Sequence, residues 1–399
     1  MRLNARMLIR LSIFLVVALA ASSCTAVHVL YLAHDDREGR VPGTAGHVEA
    51  QDWIINYLTQ HGVEATDGTT NAVSFRQTYN TGTNIVGQIP GTDLASEIVM
   101  VGAHYDHVAN CDNQGGSSVC NGATDNAAGT AIALEIAADI FDNGPAPRRT
   151  VMFGFWDQEE SGLIGSQQWI ANNPGVAANI VAYVNYDIQG ANLLPSLRNS
   201  TLAVGAESGG AFYQAAVATA GDASTLDLSL LSVIFGQGRS DHANFVAAGV
   251  PSVFFTDATG PCYHTTADAI DVLDVAKLTE QQVIGNTLVA DLAAGTTTPA
   301  FNGGAALATY DDAVVIHDLV AQGLADLARF TPAQQAALTT IEANVAAIVA
   351  AGAGGFTNAA QSTLLLSSLD LVTILASGSC DGFLIPPSTT TTTTTTTLP

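Results

Sequence analysis

Residues 97–107 read E-I-V-M-V-G-A-H-Y-D-H, and residues 150–160 read T-V-M-F-G-F-W-D-Q-E-E. Each is an apolar run that ends on a group of acids and imidazoles. A run that is apolar at nearly every position, not at every second one, is what a strand buried on both faces requires. Two more stretches have this character: I-V-A-Y-V-N-Y before Asp187, and P-S-V-F-F at 251–255. Helical periodicity occupies the intervals at Asp125 to Phe141, Leu163 to Ala171 and Ser240 to Ala248, with a further helix over Leu278 to Ala294. Strand and helix in alternation imply an α/β fold, a three-layer sandwich around a mostly parallel central sheet.

Outward from this core, residues 33–66 read as a turn containing Gly39, Pro42, Gly43 and Gly46, followed by an amphipathic helix through Val48, Trp53, Ile54, Ile55 and Leu58. Around Gly295 to Pro299 the composition shifts to Gly, Thr and Pro; from Ala305 to Leu375 it becomes rich in Ala and Leu with helical periodicity. We therefore expect an α/β unit over 25–299, a C-terminal helical extension over 300–385 whose apolar stripes are packing faces, and a Pro/Thr-rich tail over 386–399, extended and without a core.

The chain of 399 residues, 48% hydrophobic, can bury one large core. Its 12 Lys+Arg against 36 Asp+Glu give a net charge of −24 and no basic run, which argues against nucleic acid or an anionic membrane surface as a partner. Arg2, Arg6 and Arg10 before the apolar run Leu11 to Ala21 have the layout of a secretory signal, so export is expected. That run closes on Ala21-Ser22-Ser23-Cys24, which resembles a bacterial lipoprotein processing site, with Ala21 where such sites usually carry Leu. The expectation is a signal over 1–24 and membrane attachment through lipidated Cys24, giving a cell-envelope lipoprotein or a secreted protein. Setting Cys24 aside leaves Cys111, Cys120, Cys262 and Cys380, an even number suited to two disulfides. Cys111 and Cys120 bracket a Gly/Ser/Asn-rich loop and are the natural pair; Cys262 with Cys380 follows by elimination.

In open α/β sheets, ligands collect at the carboxyl ends of the strands. His104 ends the first run, Asp157, Glu159 and Glu160 follow the second, Asp187 ends the third, and His264 lies shortly beyond the fourth. Asp125 opens the helix at G-A-T-D-N-A-A-G, where a carboxylate is favoured by the helix dipole. Singly, these are a core histidine, a helix cap or a loop acid. Together, in a chain only 12% charged, they form a mixed nitrogen and oxygen donor set that suits zinc, and two metals sharing one carboxylate can activate a water between them. Neighbouring Glu159 and Glu160 point in different directions, so Glu160 is read as a ligand and Glu159 as the general base. Asp106, two residues past His104, is read as a partner for an imidazole N–H.

The ordered set G-R-V-P-G-T, G-A-H-Y-D-H, G-A-T-D-N-A-A-G, W-D-Q-E-E-S-G-L-I-G-S, V-N-Y-D, G-R-S-D-H-A-N-F and C-Y-H-T, spanning about Tyr31 to Ala294, resembles the two-zinc aminopeptidases that include secreted bacterial leucyl aminopeptidases and aminopeptidases S and Y. The resemblance implies a zinc-exopeptidase, phosphorylase/hydrolase-like fold and two Zn2+ per chain, with Asp125 bridging, His104 and Asp187 on one ion, and Glu160 and His264 on the other. It implies peptide or protein amino termini as substrate, Tyr263 as an oxyanion donor, and a cis peptide between Asp125 and Asn126. Ser240, Asp241 and His242 are expected to support the ligands or the substrate pocket, with Arg239 lining it; His107 receives no role. The Cys-containing insert between His104 and Asp125 and the extension after Ala300 depart from the pattern without altering a ligand position. Glutaminyl cyclase, a one-zinc acyl-transfer relative of the same sheet, is the alternative enzyme, and an inactive surface-display module the alternative of another class. Carboxypeptidase relatives need an arginine-rich pocket that a chain with 12 Lys+Arg is poorly equipped to build.

Overall fold

The computed structural model describes residues 24–114, 117–378 and 380. The proposed signal, except for its last residue Cys24, and the Pro/Thr tail lie outside them. The strands are β1 (Glu64–Ala65), β2 (Arg76–Tyr79), β3 (Gly82–Ile89), β4 (Leu94–His104), β5 (Arg149–Trp156), β6 (Ile180–Tyr186), β7 (Ser200–Val204), β8 (Asp227–Leu231) and β9 (Ser252–Thr256). They form one sheet in the order β1-β3-β5-β4-β6-β9-β7-β8, with β2 paired to β3. The centre, β5-β4-β6-β9, is parallel, as the four apolar runs imply. Antiparallel pairs occur toward the edges, where β3 runs against β5 and β7 against β9.

The longer helices are α1 (Cys24–Leu32), α2 (Ala45–Gln60), α3 (Ala128–Asp142), α4 (Ile164–Asn172), α5 (Gly210–Gly221), α6 (Val275–Ala294), α7 (Tyr310–Gly323), α8 (Pro332–Ala350) and α9 (Asn358–Ala376). Helix α3 is buried along almost its whole length, which explains its A-G-T-A-I-A-L-E-I-A-A composition: small side chains let it lie close on the sheet. One apolar layer joins α1, α2, α3 and α6 to the sheet; a second, containing Met100, Trp156, Trp169, Tyr183 and Phe245, covers the other face. Helix α1 was not anticipated. It immediately precedes the predicted turn, and Val29 and Leu32 are buried in the main core. The extension is helical as expected, and α7, α8 and α9 pack together onto Val204, Leu231 and Phe254 at the β7-β8-β9 end of the sheet. Both disulfides form as paired above, Cys111 with Cys120 and Cys262 with Cys380.

Arg40, from the G-R-V-P-G-T turn, is fully buried. Its Nε donates to the Tyr105 carbonyl at 2.9 Å, Nη1 to those of Leu32 and Asn121 at 2.9 and 2.7 Å, and Nη2 to that of Gly122 at 2.9 Å. One guanidinium thus fastens α1 and both ends of the insert between His104 and Asp125. Replacing it strands four buried carbonyls, so Arg40→Leu should lower the urea unfolding free energy by about 3–5 kcal/mol. Arg76→Leu, which breaks a surface pair with Asp52, should change it by less than about 1 kcal/mol in the same assay.

Candidate metal centre

Strands β4 and β5 lie side by side in parallel with His104 level with Trp156, so the residues that follow each strand emerge together. Asp157 secures the second exit: its carboxylate accepts from the Thr83 N–H at 2.7 Å and meets His47 Nε2 at 3.0 Å, and its own N–H donates to Asn84 at 3.0 Å. Beyond it, Gln158 takes a positive φ of 59° and the chain turns, sending Glu159 and Glu160 to different places. Glu160 Oε1 lies 2.8 Å from His107 Nδ1 and its Oε2 lies 3.0 Å from His264 Nε2. Glu159 Oε2 faces His104 Nε2 at 4.0 Å.

Asp125 stands between the two groups. Its Oδ1 is 3.3 Å from His104 Nε2, its Oδ2 is 3.3 Å from His264 Nε2, and Asp187 Oδ1 is 3.2 Å from the same His104 nitrogen. The sequence reading placed Asp125 at the opening of a helix. Instead α3 begins at Ala128, and Asp125 lies in an irregular turn before it, at φ −119° and ψ 92°, with no side-chain cap. The Asp125–Asn126 peptide is cis, as the resemblance implies. Asp268 holds this turn, accepting from the Thr124 N–H and hydroxyl at 2.9 Å each and from the Asp125 N–H at 3.1 Å. Asn126 donates to the Tyr186 carbonyl at 2.8 Å, tying the turn to the end of β6 just before Asp187.

Asp106 behaves differently from expectation in detail. His104 Nδ1 meets the Asp106 backbone carbonyl at 3.2 Å, and the carboxylate is farther away at 3.6 Å. The carboxylate instead accepts the Glu159 N–H at 3.1 Å, so Asp106 orients both the imidazole and the paired glutamates. Tyr263 stacks on His264, with ring centres 3.8 Å apart. Ser240 accepts from Asn185 at 2.7 Å, and Asp241 accepts from Ser166 at 2.5 Å. His242 is buried against Phe254, and burial drives it down to about 3, so it is neutral.

Sequence reasoning missed two residues. Asp268 is indistinguishable from a loop acid in H-T-T-A-D, and His107 joins Glu160 and His264 only once the chain has turned after β5. The insert also departs from expectation: the Asp112 N–H donates to the carbonyl of His264 itself at 2.9 Å, and Asp112 forms a β-bridge with Thr265. It therefore braces a candidate ligand.

The acids are electrostatically unequal. Burial, then the charges of Asp187, Asp241 and Glu160, raise Glu159 well above the ordinary carboxylate range. Against burial and the charge of Asp125, hydrogen bonds from His107 and His264 hold Glu160 below it. Burial raises Asp106 and Asp187, and pushes Asp268 up to about 6. Buried negative charge in this excess calls for cations. The donor set fits zinc, with atoms of His104, Asp125 and Asp187, of His104, Glu159 and Glu160, and of His107, Asp125, Glu160 and His264 each lying within 4.8 Å of one another.

A cavity of about 180 Å3 leads away from this centre. Its lining brings together Asp125, Glu159, Glu160, Asp187 and Tyr263 of the centre, Arg239, the apolar Leu193, Leu197 and Phe254, and Ile316, Leu319, Val320 and Leu371 from the extension. Lys277 also borders it, but its ammonium is engaged by Asp257 at 2.9 Å and the Ala191 carbonyl at 2.8 Å.

Residues 84–287, just over half of the chain, match peptidase family M28. The chain belongs to this family. It is 28% identical over 232 residues to leupeptin-inactivating enzyme 1 of Streptomyces exfoliatus, a match covering 55% of this chain and 45% of that one; the chain thus spans less than half the length of that relative. Among solved structures, LapB of Legionella pneumophila superposes with a TM-score of 0.56 at 19% identity, over 68% of this chain and 72% of that one. A Bacteroides thetaiotaomicron glutaminyl cyclase superposes with a TM-score of 0.53 at 21% identity, over 70% and 98%.

Burial pushes Asp241 from 3.8 up to about 7. A carboxyl whose folded pKa is raised contributes stability below its unfolded pKa and loses it as pH rises through the folded value. In metal-free protein, Asp241→Asn should therefore raise the melting temperature more at pH 8 than at pH 5. An equal shift at both values would show that Asp241 ionises freely in the fold.

Proposed function

We propose that the chain is a zinc-dependent aminopeptidase that hydrolyses the first residue from peptide amino termini. The observation that carries this reading is the split of Asp125, one oxygen toward His104 and the other toward His264. It supports one carboxylate serving two zinc ions, with His104 and Asp187 on the first ion and Glu160 and His264 on the second. Zinc bound there would supply Lewis acidity, polarising the scissile carbonyl and easing deprotonation of a water.

Glu159 is the general base in this proposal. Its backbone is fixed by Asp106, it is buried, and it faces the site without the paired imidazoles that engage Glu160, so it is free to accept the proton of the attacking water and deliver it to the departing amine. Cations at the site would favour its carboxylate form. Burial raises the Tyr263 phenol, so it stays protonated and can donate to the oxygen on which charge develops, an interaction worth about 3 kcal/mol. The remaining carboxylates suit the substrate's free α-ammonium.

The cavity supports a large apolar first residue, since an apolar void of roughly 150 Å3 holds a benzene ring. Arg239 also lines the cavity, but with Lys277 engaged by Asp257 and the carboxylates of Asp125, Glu159, Glu160 and Asp187 in the same lining, the balance of charge disfavours a carboxypeptidase that grips a substrate carboxylate. In this reading 25–299 is the peptidase unit and 300–385 supplies the pocket's far wall. The two disulfides suit an exported protein; the signal over 1–24, a lipidated Cys24 and the stalk-like tail are proposed on sequence grounds.

Glutaminyl cyclisation is the second reading, favoured by the superposition over nearly the whole of a cyclase. Metal analysis and leucyl p-nitroanilide hydrolysis, on parent and Glu159→Ala, separate the two. We expect two zincs per chain and a rate loss of about 1,000-fold in the variant with metal retained, in the middle of the range for loss of one proton-transfer group. One zinc and no amide cleavage would point to cyclisation. Leu371→Trp, at the far wall, should raise KM for leucyl and phenylalanyl substrates about tenfold and leave alanyl substrates nearly unchanged; equal effects on all three would exclude the extension from the pocket.

A further inference from the structure

The mechanism above leaves His107 idle, yet its placement is elaborate. Its side chain is completely buried, with Nδ1 2.8 Å from Glu160 Oε1 and 4.0 Å from Asp125 Oδ2. Its ring meets that of His264 edge-on, with centres 5.6 Å apart. The backbone at Gly122 is pressed against the ring: at φ +55°, a Cβ there would fall 2.7 Å from Cγ and Cδ2 of His107. Arg40 pins that backbone through the Asn121 and Gly122 carbonyls. Among the described residues the other ring nitrogen, Nε2, has no hydrogen-bond partner, so the polar purpose of this buried ring lies on its Nδ1 side.

We infer that His107 Nδ1 is a further protein ligand at the metal centre, joining Asp125, Glu160 and His264 around one ion. Donor atoms of these four residues lie within 4.8 Å of one another. The inference rests on the metal-dependent reading above and makes the two sides of the centre different in kind. His104, Asp187 and the shared Asp125 are three protein donors, which leave a position open, as catalytic zinc sites do; four protein donors close a zinc site, as structural ones do. The Glu160 side is then a holding site that fills first and keeps its ion. The His104 side is where water and substrate enter, and Glu159, the proposed base, lies on that side.

The competing account is that His107 only donates a hydrogen bond to Glu160 and orients it. The two differ in the number of imidazoles on the first ion. The full chain, stripped by a chelator, is loaded with one equivalent of zinc; X-ray absorption counts its imidazoles, and chelator competition gives the affinity of each site. We expect two imidazoles on the first zinc. His107→Ser should weaken that tighter site by more than about 100-fold, beyond the 10- to 100-fold typical of losing an outer hydrogen-bond partner, while the weaker site changes little. One imidazole on the first zinc, or a loss within the outer-partner range, overturns the assignment. If the variant fails to fold, the imidazole count on the unaltered chain decides. Two imidazoles without peptide hydrolysis would keep this assignment and end the aminopeptidase reading; hydrolysis with a single imidazole would do the reverse, and a chain that binds no zinc would remove both.

Discussion

Asp125 must present one carboxylate oxygen to each of two histidines that reach it from opposite directions, and much of the surrounding structure serves that demand. The turn that carries it cannot be a regular helix start, because a capping carboxylate would fold back on its own backbone. Asp268 therefore takes over the cap's work, accepting the Thr124 and Asp125 N–H groups. Asn126 ties the turn to β6, and the Thr130 hydroxyl, one turn into α3, donates to the His104 carbonyl at 3.0 Å. The parallel centre of the sheet does the rest, because β4, β5 and β6 all end at the same edge and deliver His104, the Glu159–Glu160 pair and Asp187 there.

Much of this was legible in the chain. Strands β4, β5, β6 and β9 announce themselves because both their faces are buried, and every expected ligand except Asp125 falls where one of them ends or shortly after. What was hard to read lies where burial is one-sided or order depends on distant residues. β2 and β3 carry R-Q-T-Y and G-T-N-I-V-G-Q-I, β2 at the sheet's edge and β3 next to it, too polar to announce a doubly buried strand and too irregular to alternate cleanly. β7 and β8, five residues each, are too short for periodicity to register. His107 looked redundant beside His104 because its partners, Glu160 and His264, are 53 residues away in one case and on another loop in the other. Asp268 had no local signature at all.

The two departures from the family pattern prove to be built into the site's surroundings. The insert closed by Cys111–Cys120 hydrogen-bonds to the backbone of His264, and Gln114 within it accepts from the Cys380 N–H at 2.9 Å. Cys262, next to Tyr263, is bridged to Cys380 at the end of the extension. Insert, His264 loop and extension are thus linked to one another, and the last of these closes the apolar cavity. Changes in the insert and the extension can in this way alter what reaches the candidate centre.

The central claim is that two metal ions share Asp125. The most direct test is a crystal grown with zinc and measured at the zinc absorption edge. The account predicts two anomalous peaks roughly 3.5–4 Å apart, as in other two-metal hydrolytic sites, each in contact with a different oxygen of Asp125. A single peak, or two peaks of which only one touches Asp125, would contradict it.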